Sequence, residues 1–305
     1  MRNPYDNYIV EEYDVFEDWV ELIKKIEKLN KEEFIFRGHS NDYKQTEEWK
    51  IVSSFNRKYN RDFYDFGTYL RQQLCDSFFE KVYSKYKFIE IEKLYGYNLL
   101  QRLYYFQHYG IPTCLIDFTK NPLVATYFAI ANVLLSNSGL CGNDNNLTLY
   151  PSDCFVTIYA INIKKIMTLF DIKNLNNSCL LKYQSYENNH AFIGCDLNPM
   201  NQYDYDQNKC PYNLKEQESV FILFDNKGGN SWSLIDWIKS SALNKGLNSD
   251  EKLVYKFKLN YNAITKRQEN NKMTLFNHLE REKKTGQYLF DDIQGLKYDL
   301  NFFHH

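Results

Sequence analysis

The chain carries no excess of charge of either sign, since 37 Lys and Arg stand against 39 Asp and Glu and leave a formal net charge of −2. The two signs are interspersed, so neither a basic nucleic-acid footprint nor an acidic tail is expected. No run approaches the roughly 20 apolar residues that a membrane span requires. The opening stretch MRNPYDNYIVEEYDVF lacks the basic and apolar regions of a secretory leader, and the expectation is a cytoplasmic protein without a membrane partner. The seven Cys, at 75, 114, 141, 154, 179, 195 and 210, are odd in number and form no C-x-x-C pair, which argues against a disulfide framework and a zinc ribbon. Six His, at 39, 108, 190, 278, 304 and 305, show no ligand spacing, so no metal is expected.

Large apolar side chains, by contrast, are plentiful. Aromatic residues make up 17% of the 305, with 26 Tyr and 22 Phe, enough to fill the core of an ordinary globular fold. That length reads as one elaborated domain over 1–305, with its core at about 15–301.

The segment 100–135, LQRLYYFQHYGIPTCLIDFTKNPLVATYFAIANVLL, organises this domain. Leu100, Leu103, Tyr104 and Gln107 have helical spacing, and Pro112 stops that helix. Residues 113–118 are a short apolar segment with one ionisable group, Asp117. Thr119 then stands at N-cap distance from a second helix with Pro122 in its first turn. Leu123, Val124, Tyr127, Phe128, Ile130, Ala131, Leu134 and Leu135 leave that helix no wide polar face, so it belongs at the centre of the domain. Gln107, His108, Thr113, Asp117 and Thr119 are thereby presented between two buried helices.

Elsewhere, residues 14–30 read as an amphipathic helix opened by an Asp14/Glu17 capping box, with Val15, Trp19, Leu22, Ile23, Ile26 and Leu29 on one stripe. Phe34-Ile35-Phe36 is a buried strand that delivers Arg37 and Gly38 at its end. Residues 49–52 read as a second, short strand, and 57–86 as a long helical region. Residues 154–161, 219–224 and 253–259 read as strands, 163–170 as a short helix and 261–284 as a charged helix. The Asn- and Tyr-rich stretch 171–209 reads as an irregular insertion. The fold class is therefore α+β: a compact, mostly antiparallel sheet from strands near 34–37, 154–161, 219–224 and 253–259, enclosed by helices.

Phe36-Arg37-Gly38, the run QHYGIPTCLIDFTKNPLVATYFA, the segment EQESVF and the terminal LFDDIQGLKYDL together resemble the FRG domain family over roughly residues 15–301. The family's usual central run is similar to QHYGLPTRLLDWTxNPLVALYFA. Cys114 stands where the family has Arg, Ser219 where its Q-x-G-x-F segment has Gly, and Asp291 where its closing L-F-P has Pro. A more distant resemblance is to arginine-class ADP-ribosyltransferases, which carry an Arg-Gly at the end of a core strand, a Ser/Thr segment on a later one and an E-x-E before another. Arg37-Gly38, Thr119 and Glu216-Gln217-Glu218 follow that order.

That resemblance implies an ADP-ribosyltransferase-like core using NAD as substrate, in a phage-defence or toxin setting, with an unidentified macromolecular acceptor. Glu218, Gln217 and His108 are then the candidate catalytic groups, and Arg37, Gly38, Thr119, Asp117 and Thr113 the candidate cofactor-binding ones. A carboxylate on the ribose would stabilise the oxocarbenium-like charge, and an arginine fork would hold phosphate or ribose. The plain alternatives are an Arg37–Asp117 structural ion pair, Thr119 as a helix cap, Glu218 as an edge-strand carboxylate, and His108 as a helix-end hydrogen-bonding group. Gln217, not Glu218, matches the family's glutamine. A Cys114 thiol nucleophile paired with His108 is a further alternative. The competing function is a non-catalytic module binding a nucleotide or peptide in the same cleft.

Overall fold

The computed structural model describes residues 10–40, 51–59, 98–108, 112–138, 155–175, 192–199, 212–224, 233–247, 252–265 and 274–290. In chain order these form β1 (Val10–Phe16), α1 (Trp19–Ile26), β2 (Phe34–His39), α2 (Ser54–Tyr59), α3 (Leu99–His108), β3 (Leu115–Thr119), α4 (Pro122–Ser138), β4 (Phe155–Asn162), α5 (Ile163–Phe170), β5 (Phe192–Asp196), α6 (Tyr212–Glu216), β6 (Ser219–Phe224), α7 (Leu234–Asn244), β7 (Val254–Asn260), α8 (Tyr261–Thr265), α9 (Leu275–Arg281) and α10 (Gly286–Leu289). The strands make a seven-stranded sheet in the order β1-β7-β4-β2-β3-β6-β5. Every pairing is antiparallel except β1 with β7, so the fold is α+β as expected.

Helices cover both faces because the inner strands alternate two apolar sets. Phe34 and Phe36 of β2, with Val156, Ile158 and Ala160 of β4, pack with α1, α4 and α9. Ile35, Tyr159 and Ile161 point the other way, to α5 and α7. Side chains alternate across a strand, and each Val, Ile or Phe of these sets contributes about 1.5–3 kcal/mol when fully buried. Helix α4 occupies the centre as its all-round apolarity requires: Val124, Tyr127 and Ile130 have no exposed surface, and Leu123 and Ala131 are buried. Phe128 differs from expectation, for it is only partly buried and lines a cleft.

Several local readings are corrected. Residues 14–16 continue β1, where Val15 and Phe16 pair with β7, and Val15 is 40% exposed. The helix starts later, capped by Asp18, whose side chain accepts from the Val20 N–H. Ile51 and Val52 are not strand; residues 49 and 50, and 60–86 of the expected long helix, lie outside the described residues. The stretch 171–209 includes the edge strand β5, which pairs with β6 and buries Cys195. The expected helix 261–284 is not continuous, because Thr274 is extended and caps the separate α9 through the Asn277 N–H. Thr119 does not cap α4 either. Asn121 takes that place, accepting from the Leu123 N–H, while Thr119 Oγ1 accepts from the Asn121 N–H. An Asx side chain adjacent to the helix reaches its free amides more directly than a strand residue two positions back.

Candidate functional site

Strands β2 and β3 are joined by one residue pair in register, Phe36 with Thr119, whereas β2 and β4 share six, from Phe34–Asn162 to His39–Thr157. Beyond Phe36 the two strands part, and a cleft of about 340 Å³ opens there. Arg37 spans the gap. Its Nη1 donates to the Asp117 main-chain carbonyl at 2.5 Å, supplying a donor to a backbone oxygen on the β2 side of β3. The same nitrogen lies 3.9 Å from the Asp117 carboxylate, the link expected between these two charges. Nε of Arg37 donates to His39 Nε2 at 2.8 Å, so the imidazole offers a lone pair and is neutral. Burial holds His39 well below the usual imidazole value, with the Arg37, Arg57 and Lys256 charges adding to the effect.

The Asp117 carboxylate is oriented from its other side. Gln107 Nε2 donates to Asp117 Oδ2 at 2.9 Å, and the Gln107 amide is fixed in turn by the Thr113 hydroxyl, which donates to its Oε1. Thr113 is held by Ser54 through its main-chain N–H and C=O. Protein around Asp117 pushes its carboxyl up, opposed by Arg37 and by the Gln107 hydrogen bond, while half of the side chain's surface remains open. Phe36, Phe128, Phe221 and Phe290 supply apolar walls, and Arg57 adds a second guanidinium. Phe128 meets Phe290 edge-on at 6.0 Å.

Gly38 lines this cleft too, but its missing Cβ serves a close approach of helix to strand: a Cβ there would lie 1.9 Å from the Ala125 carbonyl oxygen. Thr119 also lines the cleft and donates to the Gln217 carbonyl at 2.6 Å. Gln217 faces the cleft, and its Nε2 donates to the Leu289 carbonyl at 3.2 Å.

Glu218 is outside the group of residues that line the cleft. Its Oε1 accepts from Asn121 Nδ2 at 2.6 Å and from Lys284 Nζ at 3.4 Å, and its φ of 48° lies in the left-handed region. These contacts tie the start of β6 to the α4 entrance and to the segment after α9. Thr113 is buried behind Gln107. The backbone of His108 closes α3; its side chain and Asp291 lie outside the described residues. Cys114 is a buried thiol outside any disulfide. His39, Arg57, Phe128, Phe221 and Phe290 were missed as site residues. His39 directly follows the Phe-Arg-Gly motif and was the most findable, whereas the rest come together only through the fold. Among the described residues no three His, Cys, Asp or Glu side chains cluster as metal ligands, and no helix is long and apolar enough to cross a membrane.

Fold and cleft define a helix-covered, mostly antiparallel α+β protein with an arginine-bridged pocket in its sheet. The chain carries an FRG domain, for residues 32–138 match the family model of that description. The match takes in Phe36-Arg37-Gly38 and the central run but not Gln217 or Phe290. No curated protein and no solved structure matches the chain.

Proposed function

We propose that this FRG domain protein binds a nucleotide, NAD among the candidates, in the cleft between β2 and β3. The observation that carries the reading is the Arg37–Asp117–Gln107 group on the floor of a 340 Å³ pocket with phenylalanine walls. The volume falls within the roughly 300–1,000 Å³ of small-molecule sites, which are largely apolar with a few convergent polar groups. Two guanidiniums suit phosphate, and the partly buried Phe128 and Phe290 rings that line the cleft suit a base.

ADP-ribosyl transfer is the second reading, favoured by one observation: a carboxylate, Asp117, faces the cleft. In that reaction the bond from C1′ of the ribose to the nicotinamide nitrogen breaks, nicotinamide leaves with the electron pair, and an acceptor atom bonds to C1′ and releases a proton. Glu218 is unsuited to stabilise that charge from its place beside Asn121 and Lys284, so a binding module is the simpler reading.

The test is a melting-temperature series on the full chain with NAD, ADP-ribose, AMP and ATP, alongside an assay for nicotinamide release. A ligand at a hundredfold its Kd adds about 2.7 kcal/mol of stability, so binding is expected to raise the melting temperature. Arg37→Lys, which keeps charge and loses the planar fork, is expected to diminish that rise. Stabilisation without release identifies a binding module; release identifies a transferase or glycohydrolase. Absence of both overturns the proposal.

A further inference from the structure

The cleft contains a carboxylate that is rigidly held, half open and flanked by cations. Asp117 Oδ2 takes the Gln107 amide at 2.9 Å and lies 3.9 Å from Arg37 Nη1; among the described residues Oδ1 takes no side-chain hydrogen bond. The orientation is fixed through Thr113 and Ser54 on one side. On the other, His39 and the Asp117 carbonyl fix Arg37. A carboxylate oxygen with no side-chain donor has a lone pair to offer a ligand. A cationic donor is disfavoured, because Arg37 already lies beside the carboxylate and Arg57 also lines the cleft. An anion at the same spot would be repelled by Asp117, while one placed next to it would be attracted by the guanidiniums. What fits is a neutral hydroxyl pair adjacent to a phosphate.

We infer that Asp117 is the specificity-determining residue of the cleft and receives the vicinal 2′,3′-diol of a ribose, with Arg37 and Arg57 turned to the neighbouring phosphate. This inference rests on the nucleotide reading above and goes beyond it by assigning the sugar subsite. Gln107 and Thr113 are positioning residues, acting through the carboxylate.

Calorimetric titration of the full chain with AMP and NAD, and with the 2′-deoxy and 3′-deoxy counterparts of each, tests the assignment. A hydrogen bond to a charged group left unmade costs roughly a tenfold to hundredfold loss in affinity. The ribonucleotides are therefore expected to bind at least about tenfold more tightly than either deoxy form. Asp117→Asn is expected to narrow the difference between ribo and deoxy forms several-fold, because an amide nitrogen facing the diol replaces two charge-assisted hydrogen bonds with a weaker neutral one. Melting curves confirm that the variant is folded, and if it is not, the wild-type series alone decides. Equal affinity of wild type for ribo and deoxy forms overturns the sugar subsite while leaving nucleotide binding standing. Binding of none of these ligands overturns both.

Discussion

At the scale of single residues, Gly38 and His39 show how the same motif serves packing and electrostatics. Gly38 lets α4 press on β2, and an added Cβ would meet the Ala125 oxygen at 1.9 Å and the Ala129 nitrogen at 2.7 Å. Both are main-chain atoms of a helix, so neither can yield without moving α4. Gly38→Ala is expected to destabilise the fold by about 3 kcal/mol or more, read as a melting temperature lower by on the order of 5–10 °C or as loss of soluble protein. A wild-type melting temperature in that variant would show that the helix is not so close. His39 is held neutral. Its value is depressed on folding, so the unfolded chain binds the proton more readily, and stability present above pH of about 6.5 is lost as pH falls below it. The slope from this group approaches about 1.4 kcal/mol per pH unit. Urea unfolding between pH 7.5 and 5 is expected to show it, and His39→Gln is expected to flatten the slope over that range.

At the scale of elements, β5 is tied to α3 by a buried contact that sequence pattern gave no means of pairing. The Tyr104 hydroxyl donates to Asp196 Oδ2 at 2.5 Å, and its ring stacks on Phe221 of β6 at 4.5 Å. Asp196 also accepts from the Asn198 N–H at 2.9 Å. Burial pushes its carboxyl up, and the Tyr104 hydrogen bond opposes that rise. Tyr104→Phe keeps the stack and removes the donor, so a loss of about 1–3 kcal/mol is expected at neutral pH. Without the donor the Asp196 value climbs further. A carboxyl raised on folding contributes its stability at low pH and loses it as pH rises, so the deficit of the variant relative to wild type is expected to shrink on acidification. A pH-independent deficit in urea unfolding would assign the loss to packing instead.

At the scale of the whole molecule, the sheet was legible where apolar runs were bounded by polar residues. Residues 219–224 and 34–37 read directly as strands, because their β-branched and aromatic content leaves no helical face. Strand β3 was harder, for Leu115–Thr119 is five residues long and sits between two strong helices. β1 was hidden by helix signals, since Asp14, Val15 and Glu17 carry the cap and stripe pattern of a helix start, whereas Val15 and Phe16 pair with β7. Of the candidate site, Arg37 and Asp117 were legible because each is a charge set into an apolar run. The place of Glu218 was not legible: an E-x-E spacing says nothing of a backbone turn, and with a φ of 48° its side chain meets Asn121 and Lys284.

The single rung between Phe36 and Thr119 makes that position the sparsest seam of backbone pairing in this sheet. One leaf is β1-β7-β4-β2 and the other β3-β6-β5, with α4 laid across both β2 and β3 like a strap. A group seated in the cleft would meet both leaves at once, and beside the single rung the Arg37–Asp117 contacts tie those leaves together across the gap.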